Sequence, residues 1–258
     1  MFVEERQQAK RRRDAGQVRM TSRDAEVLEV MAHQYGLPLD LIRRGLKVGM
    51  PRVYQLVQRW KRAGWVETSG VDRGPTWVYP TRATAQRFLG WDRVPDWAPR
   101  STTAQHTRAA AAVRLHQAGL DLDRWVSERS LRHDQGWRQQ GRKEPHTPDG
   151  IEILPDGRRV LIEVELTAKQ RARYIDQPLS TSPSVHRGLL LEISNRADQL
   201  GCDAVAYWCA PHVVRQVQEV VTEYEQREEI PSERAGRGRK YWYVRNLEEV
   251  PGWTVQGS

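Results

Sequence analysis

The stretch PDGIEILPDGRRVLIEVELTAK, Pro148 to Lys169, decides how the second half of this chain folds. Two apolar runs rich in Ile, Val and Leu flank Pro155-Asp156-Gly157. That tripeptide suits a three-residue hairpin loop, a type I turn closed by a left-handed glycine. Such a loop pairs Leu154 with Arg158. Counting back along both strands then sets Asp149 opposite Glu163, with Glu165 two residues on and on the same face. A two-residue loop would shift the register by one and send Asp149 to the other face. With the longer loop, three carboxylates meet on one surface, where they repel and lose hydration unless they are paired or bound to a cation. Mg²⁺ or Mn²⁺ is the natural occupant of an all-oxygen site built from Asp149, Glu163 and Glu165, and such an ion can activate water and neutralise charge on a phosphodiester. The competing reading is a solvated strand face with Glu163 and Glu165 paired to arginines. The polar and apolar alternation in the second half of RRVLIEVELT is compatible with it.

The neighbouring sequence adds candidates. Thr167 and Gln170 have capping-box spacing, which predicts a helix from Thr167 with Lys169 in its first turn, beside the carboxylates. Upstream, RWVSERSLR reads as the preceding strand, from which Glu128 reaches the same site or makes a surface ion pair. His146 is either a phosphate contact or an incidental loop histidine. The polar loops HDQGWRQQGRK, with Arg138, Arg142 and Lys143, and SERAGRGRK could grip a DNA backbone. The other elements are an Ala-rich helix, STTAQHTRAAAAVRLHQAG, capped by Ser101, Thr102 or Thr103, a helical run in RGLLLEIS, the strand DAVAYWCA, the helix PHVVRQVQEVVTEYEQREE and the strand YWYVRNL. The order α-β-β-β-α-β predicts an α/β (α+β) fold.

A chain of 258 residues is longer than a typical domain of about 100–200 residues, which predicts two domains. The formal net charge of +8, from 41 Lys+Arg against 33 Asp+Glu, favours a polyanionic partner. No run of about 18 apolar residues exists, and the basic N-terminus lacks an apolar segment after its charges. The expectation is a cytoplasmic protein without membrane insertion. Cys202 and Cys209 are expected as a buried, reduced pair.

Residues 1–20 form a basic arm with the run Lys10-Arg11-Arg12-Arg13. From Thr21 or Ser22, which can cap a helix, three helices follow. In the third, Val53, Leu56, Val57 and Trp60 recur at i, i+3, i+4 and i+7, leaving Arg52, Gln55, Arg59 and Arg62 exposed. WVETSG and PTWVYPT read as two strands around the turn GVDRGP. A Pro- and Trp-rich connector between Gly90 and Ser101 separates a domain at 21–95 from one at 101–258.

The run RVYQLVQRWKRAGWVE resembles the recognition helix and first wing strand of winged helix-turn-helix proteins. The resemblance implies double-stranded DNA as partner, with Arg52, Gln55 and Arg59 near base edges and Arg73 in the wing near phosphate or minor groove. TPDG followed by IEVELTAK resembles the PD-(D/E)xK nuclease superfamily, whose core has the same α-β-β-β-α-β order, with Asp149 at the motif's Asp and Glu163 at its acidic position; the resemblance implies a restriction-endonuclease-like domain with a central mixed sheet. Glu165 departs from the usual lysine, as it does in some restriction endonucleases of this fold. Gln170 and Tyr174 resemble a Gln-x-x-x-Tyr element of some of these nucleases. Over residues 20–245 the chain resembles the replication-relaxation family of actinobacterial plasmids and integrative elements. It is also similar to mobilisation relaxases built on the restriction-endonuclease fold. This implies a sequence-specific, metal-dependent DNA nickase or endonuclease acting in transfer or replication, with relaxosome or replication proteins as further partners and a homodimer as one possible state. Two alternatives stand beside it: a non-catalytic DNA-binding accessory protein with a vestigial nuclease fold, and a covalent relaxase using Tyr174.

Overall fold

The computed structural model describes residues 18–71, 74–135, 146–175, 188–227 and 241–253. Arg73, Arg138, Arg142, Lys143, the run Lys10 to Arg13 and the loop SERAGRGRK lie outside the described residues.

The chain opens with α1 (Ser22–His33), started by a capping box in which Thr21 and Asp24 satisfy each other's main-chain N–H groups. Then come β1 (Leu37–Pro38), α2 (Leu39–Leu46), α3 (Met50–Arg62), β2 (Val66–Ser69), β3 (Trp77–Pro80) and α4 (Arg82–Leu89). The predicted stripe of α3 is its buried face, Val53, Leu56, Val57 and Trp60. The small sheet has three antiparallel strands in the order β1-β3-β2, one more than expected. Leu37-Pro38 is too short to carry a periodic signal, and it joins only because β3 offers it an edge.

The second half contains α5 (Ser101–Gln117), β4 (Trp125–Ser127), α6 (Glu128–Gln135), β5 (Gly150–Ile153), β6 (Arg159–Glu165), α7 (Arg171–Tyr174), α8 (Leu189–Gln199), β7 (Ala204–Cys209), α9 (Pro211–Arg227) and β8 (Tyr241–Asn246), closed by a 3-10 turn, Leu247–Glu249. Its sheet runs β4-β5-β6-β7-β8; β4 to β6 pair antiparallel and β6 to β8 parallel. The sheet is therefore mixed, as expected. Three local expectations are corrected. RWVSERSLR splits into the short β4 and the helix α6, so Glu128 is the first residue of a helix and not part of a strand. Arg100, not Ser101, Thr102 or Thr103, occupies the N-cap of α5. The helix expected from Thr167 begins only at Arg171, and Gln170 sits at its N-cap without a side-chain cap bond.

Packing explains the composition of α5. Ala109 to Val113 are all buried, because α5 lies between α2 and the large sheet, and small side chains let both surfaces approach. One hydrophobic core runs from Leu28 and Trp60 through these alanines to Ile162, Val164, Ala206 and Trp208. Arg108, buried on α5, reaches Asp40 of α2 at 2.7 Å and lies over the Trp253 ring. A second core fills the opposite face of the sheet, where Ile151, Leu161, Val205 and Tyr207 meet α8 and α9. Strands covered on both faces read as continuous apolar runs, which is why AVAYWC shows no alternation. Polar contacts also join the two halves. Arg129 donates to the Ala32 carbonyl at 2.8 Å and lies over the Tyr35 ring, His33 bonds Ser130 at 3.0 Å, and Trp91 stacks on His133. Cys202 and Cys209 are buried thiols not joined in a disulfide, and burial pushes the Cys209 thiol up to about 12. Among the described residues no helix is long and apolar enough to cross a membrane.

Candidate active site

The hairpin closes as its sequence predicts. Gly157 is left-handed at φ +84, and the Leu154 N–H donates to the Arg158 carbonyl at 2.8 Å. The register then runs from Ile153 opposite Arg159 to Gly150 opposite Ile162. One step beyond the ladder, the Asp149 N–H donates to the Ile162 carbonyl at 3.0 Å, which ties Asp149 to the end of β6, next to Glu163. The Trp125 ring packs against Gly150 so closely that a Cβ there would clash with it; this glycine holds Asp149 against the strand end.

All three carboxylates are buried, but each turns to its own partner. Asp149 Oδ2 accepts the buried Val164 N–H at 2.7 Å, and its Oδ1 meets His106 Nε2 at 2.7 Å. Glu163 Oε1 meets His146 Nε2 at 2.6 Å. Glu165 is ion-paired with Lys169 and accepts from the Tyr174 hydroxyl at 3.4 Å. The expected convergence of three acids on one point becomes an adjacent pair, Asp149 and Glu163, each capped by a histidine, beside a Glu165–Lys169 pair. Among the described residues no group of three His, Cys, Asp or Glu is arranged to hold a metal ion.

The electrostatics follow from burial and pairing. Burial pushes the Glu163 carboxyl up to about 7, opposed by its bond to His146. For His106 and His146, burial favours the neutral ring, but the bonds to Asp149 and Glu163 overcome it and raise both imidazoles above their ordinary value. The Glu128 carboxyl is raised by burial, with the Asp149 charge adding and Arg132, its partner at 2.8 Å, opposing. Burial and Arg173 lower the Lys169 ammonium. Lys169 precedes α7 and is not inside its first turn, and Gln216 fixes its carbonyl at 2.7 Å. Gln170 is exposed. Tyr174 is fully buried, and burial pushes its hydroxyl up to about 12, the opposite of what an activated nucleophile needs.

Asp149 and Glu163 fit a hard divalent cation in donor chemistry: two oxygen ligands on adjacent strands, with imidazoles beside them that Mn²⁺ also accepts. His106 and His146 now satisfy the oxygens that a cation would take. The sequence reading missed His106, which comes from α5, 43 positions before Asp149. The local signal was a histidine among the polar positions that open the run TAQHTRAAAAV.

On α3, Arg52 and Gln55 are exposed and bonded to each other at 3.1 Å, Tyr54 is 53% exposed between them, and Arg62 bonds the Gln58 carbonyl of its own helix. Arg59, expected near base edges, turns inward to Asp24, which also accepts the Trp60 indole N–H at 2.7 Å. Although burial opposes ionisation, bonds from Thr21, Trp60 and Arg59 hold the Asp24 carboxyl below its ordinary value.

No family model, curated protein or solved structure matches this chain.

Proposed function

We propose that the protein is a metal-dependent DNA nickase or endonuclease of the PD-(D/E)xK type, guided by an N-terminal winged helix and acting in plasmid or mobile-element transfer or replication. One observation carries the reading: the β5–β6 register brings buried Asp149 beside buried Glu163, with Lys169 one ion pair away on Glu165. The order α1-β1-α2-α3-β2-β3 and the exposed Arg52, Tyr54 and Gln55 on α3 support a groove-reading helix. Asp149 and Glu163 would hold Mg²⁺ or Mn²⁺, which supplies Lewis acidity and charge neutralisation at a phosphodiester. The chain's own residues do the rest. Val164 fixes the Asp149 carboxylate through its main-chain N–H, Glu165 keeps Lys169 at the strand end, and Lys169, His106 and His146 offer donors to phosphate oxygens.

A second reading, a DNA-binding accessory protein without chemistry, is favoured by the histidines and lysine that already satisfy these carboxylates. Supercoiled plasmid carrying the DNA that flanks the protein's own gene, incubated with Mn²⁺, separates the two. The nuclease yields nicked or linear product that Asp149→Asn and chelation both abolish. Intact plasmid with wild-type protein bound to it would establish the accessory reading.

A further inference from the structure

On the face of the large sheet that α5 packs against, the strip toward β8 carries an open groove of about 700 Å³, whose lining does not include the acidic pair. Its floor is Val160, Ala204, Ala206 and Trp208, and its outer wall is β8. Alternation along β8 puts Tyr241, Tyr243 and Arg245 on this face, and the tyrosines are 64% and 41% exposed. The parallel register seats Tyr241 beside Ala204 and Tyr243 beside Ala206. Methyl groups, not bulky side chains, therefore flank the two rings and leave their faces open. Residues two apart on a strand are about 6.6 Å apart. That is roughly twice the ~3.4 Å base rise of a duplex, so the pair suits unstacked bases and not stacked ones.

Polar groups complete the site. Trp208 is 3% exposed, lines the groove, and its indole N–H has no acceptor among the described residues. A buried donor without an acceptor is costly, and a base carbonyl or ring nitrogen would relieve it. Arg245 lies 5.9 Å from the centre of the Tyr243 ring, and Arg158 lines the groove as well. Arg245 supplies positive charge for phosphates, and Arg158 adds its own from an exposed pair with Asp156 at 2.7 Å. The acids of the groove are largely committed: Glu152 is tied to Gln117 and Arg124, and Asp203 accepts the Arg159 N–H. Asp198 is the third acid of the groove.

We propose that this face binds single-stranded DNA, stacking successive bases on Tyr241 and Tyr243 with Trp208 donating to one of them. The inference rests on the DNA-acting reading above, in which an opened strand needs a holder, but its test requires neither metal nor cleavage. Fluorescence anisotropy of a labelled oligothymidylate with the full chain, in excess unlabelled duplex, reads it directly. Tyr241→Ala/Tyr243→Ala weakens binding by at least about tenfold with unchanged thermal unfolding, and Tyr241→Phe/Tyr243→Phe, which keeps the rings, binds as wild type does. An alanine variant that binds as tightly as wild type overturns the proposal. So does equal competition by duplex, or a wild-type dimer in sedimentation that Tyr241→Ala dissolves, since the face is then a self-interface. Plasmid nicking by the same variants keeps the two readings apart. Oligonucleotide binding without nicking sinks only the nuclease, and nicking without oligonucleotide binding sinks only this inference.

Discussion

Replacing Asp149 by alanine or by asparagine separates what this side chain does for the fold from what it does for chemistry. Its Oδ2 accepts the buried Val164 N–H at 2.7 Å, and its Oδ1 meets a half-exposed His106. Alanine leaves the Val164 donor buried and unpaired, which costs about 1–3 kcal/mol. The contact with the exposed imidazole adds little once solvent screening is allowed for. For a chain of this size a loss of about 2 kcal/mol lowers Tm by about 4–8 °C. Asparagine keeps a carbonyl oxygen for Val164 and stays within about 1 kcal/mol of wild type. Both variants lose the negative charge that a divalent cation needs, so both lose nicking. Urea denaturation followed by tryptophan fluorescence, run beside the plasmid assay, gives the two readouts. Equal stability of the alanine and asparagine variants would refute the role assigned to the Val164 bond. Retained nicking by Asp149→Asn would refute the role assigned to the charge.

Three further outcomes are expected. On α3, Arg52→Ala weakens duplex binding and reduces its salt slope by about 1 without altering stability, whereas Arg59→Ala destabilises the fold by about 2–4 kcal/mol because it strips a partner from buried Asp24; duplex titration across salt and urea melts compare them, and a neutral Arg59→Ala would be the contrary result. Gly157→Ala, at φ +84, costs about 1–2 kcal/mol in a urea melt, and no loss would mean that the turn relaxes. His33, whose imidazole burial and nearby Arg114 and Arg129 depress to about 4, makes stability depend on pH. The unfolded chain binds the extra proton between its ordinary value of 6.5 and 4, so stability is complete above pH 6.5 and falls as pH drops toward 4. The loss is about 3 kcal/mol in full and about 2 kcal/mol after screening of a partly exposed ring. A His33→Gln chain should lack this part of the slope, and identical pH profiles would contradict the assignment.

The hairpin was legible because its determinants are local: a glycine where the loop needs positive φ sets the register, and the register brings Asp149 to the strand end beside Glu163. The apolar face of α3 was legible for the same reason, since helical spacing needs no tertiary information. Where side chains turn depends on partners far away in sequence. The spacing that put Arg59 on the open side of α3 could not reveal buried Asp24, 35 positions earlier, which draws it in. Glu165 instead meets a near neighbour, Lys169, because the segment after β6 bends at Thr167 before α7 begins at Arg171. His106 and the two-residue β1 were invisible for a related reason: one depends on how α5 crosses the sheet, the other on an edge supplied by β3.

Crystals soaked in Mn²⁺ and measured at the manganese absorption edge test the account at its centre. The account predicts one anomalous peak between Asp149 and Glu163, with His146 displaced from Glu163 Oε1. Diffraction that shows both histidines still bonded to the carboxylates, and no peak there at saturating Mn²⁺, would contradict it.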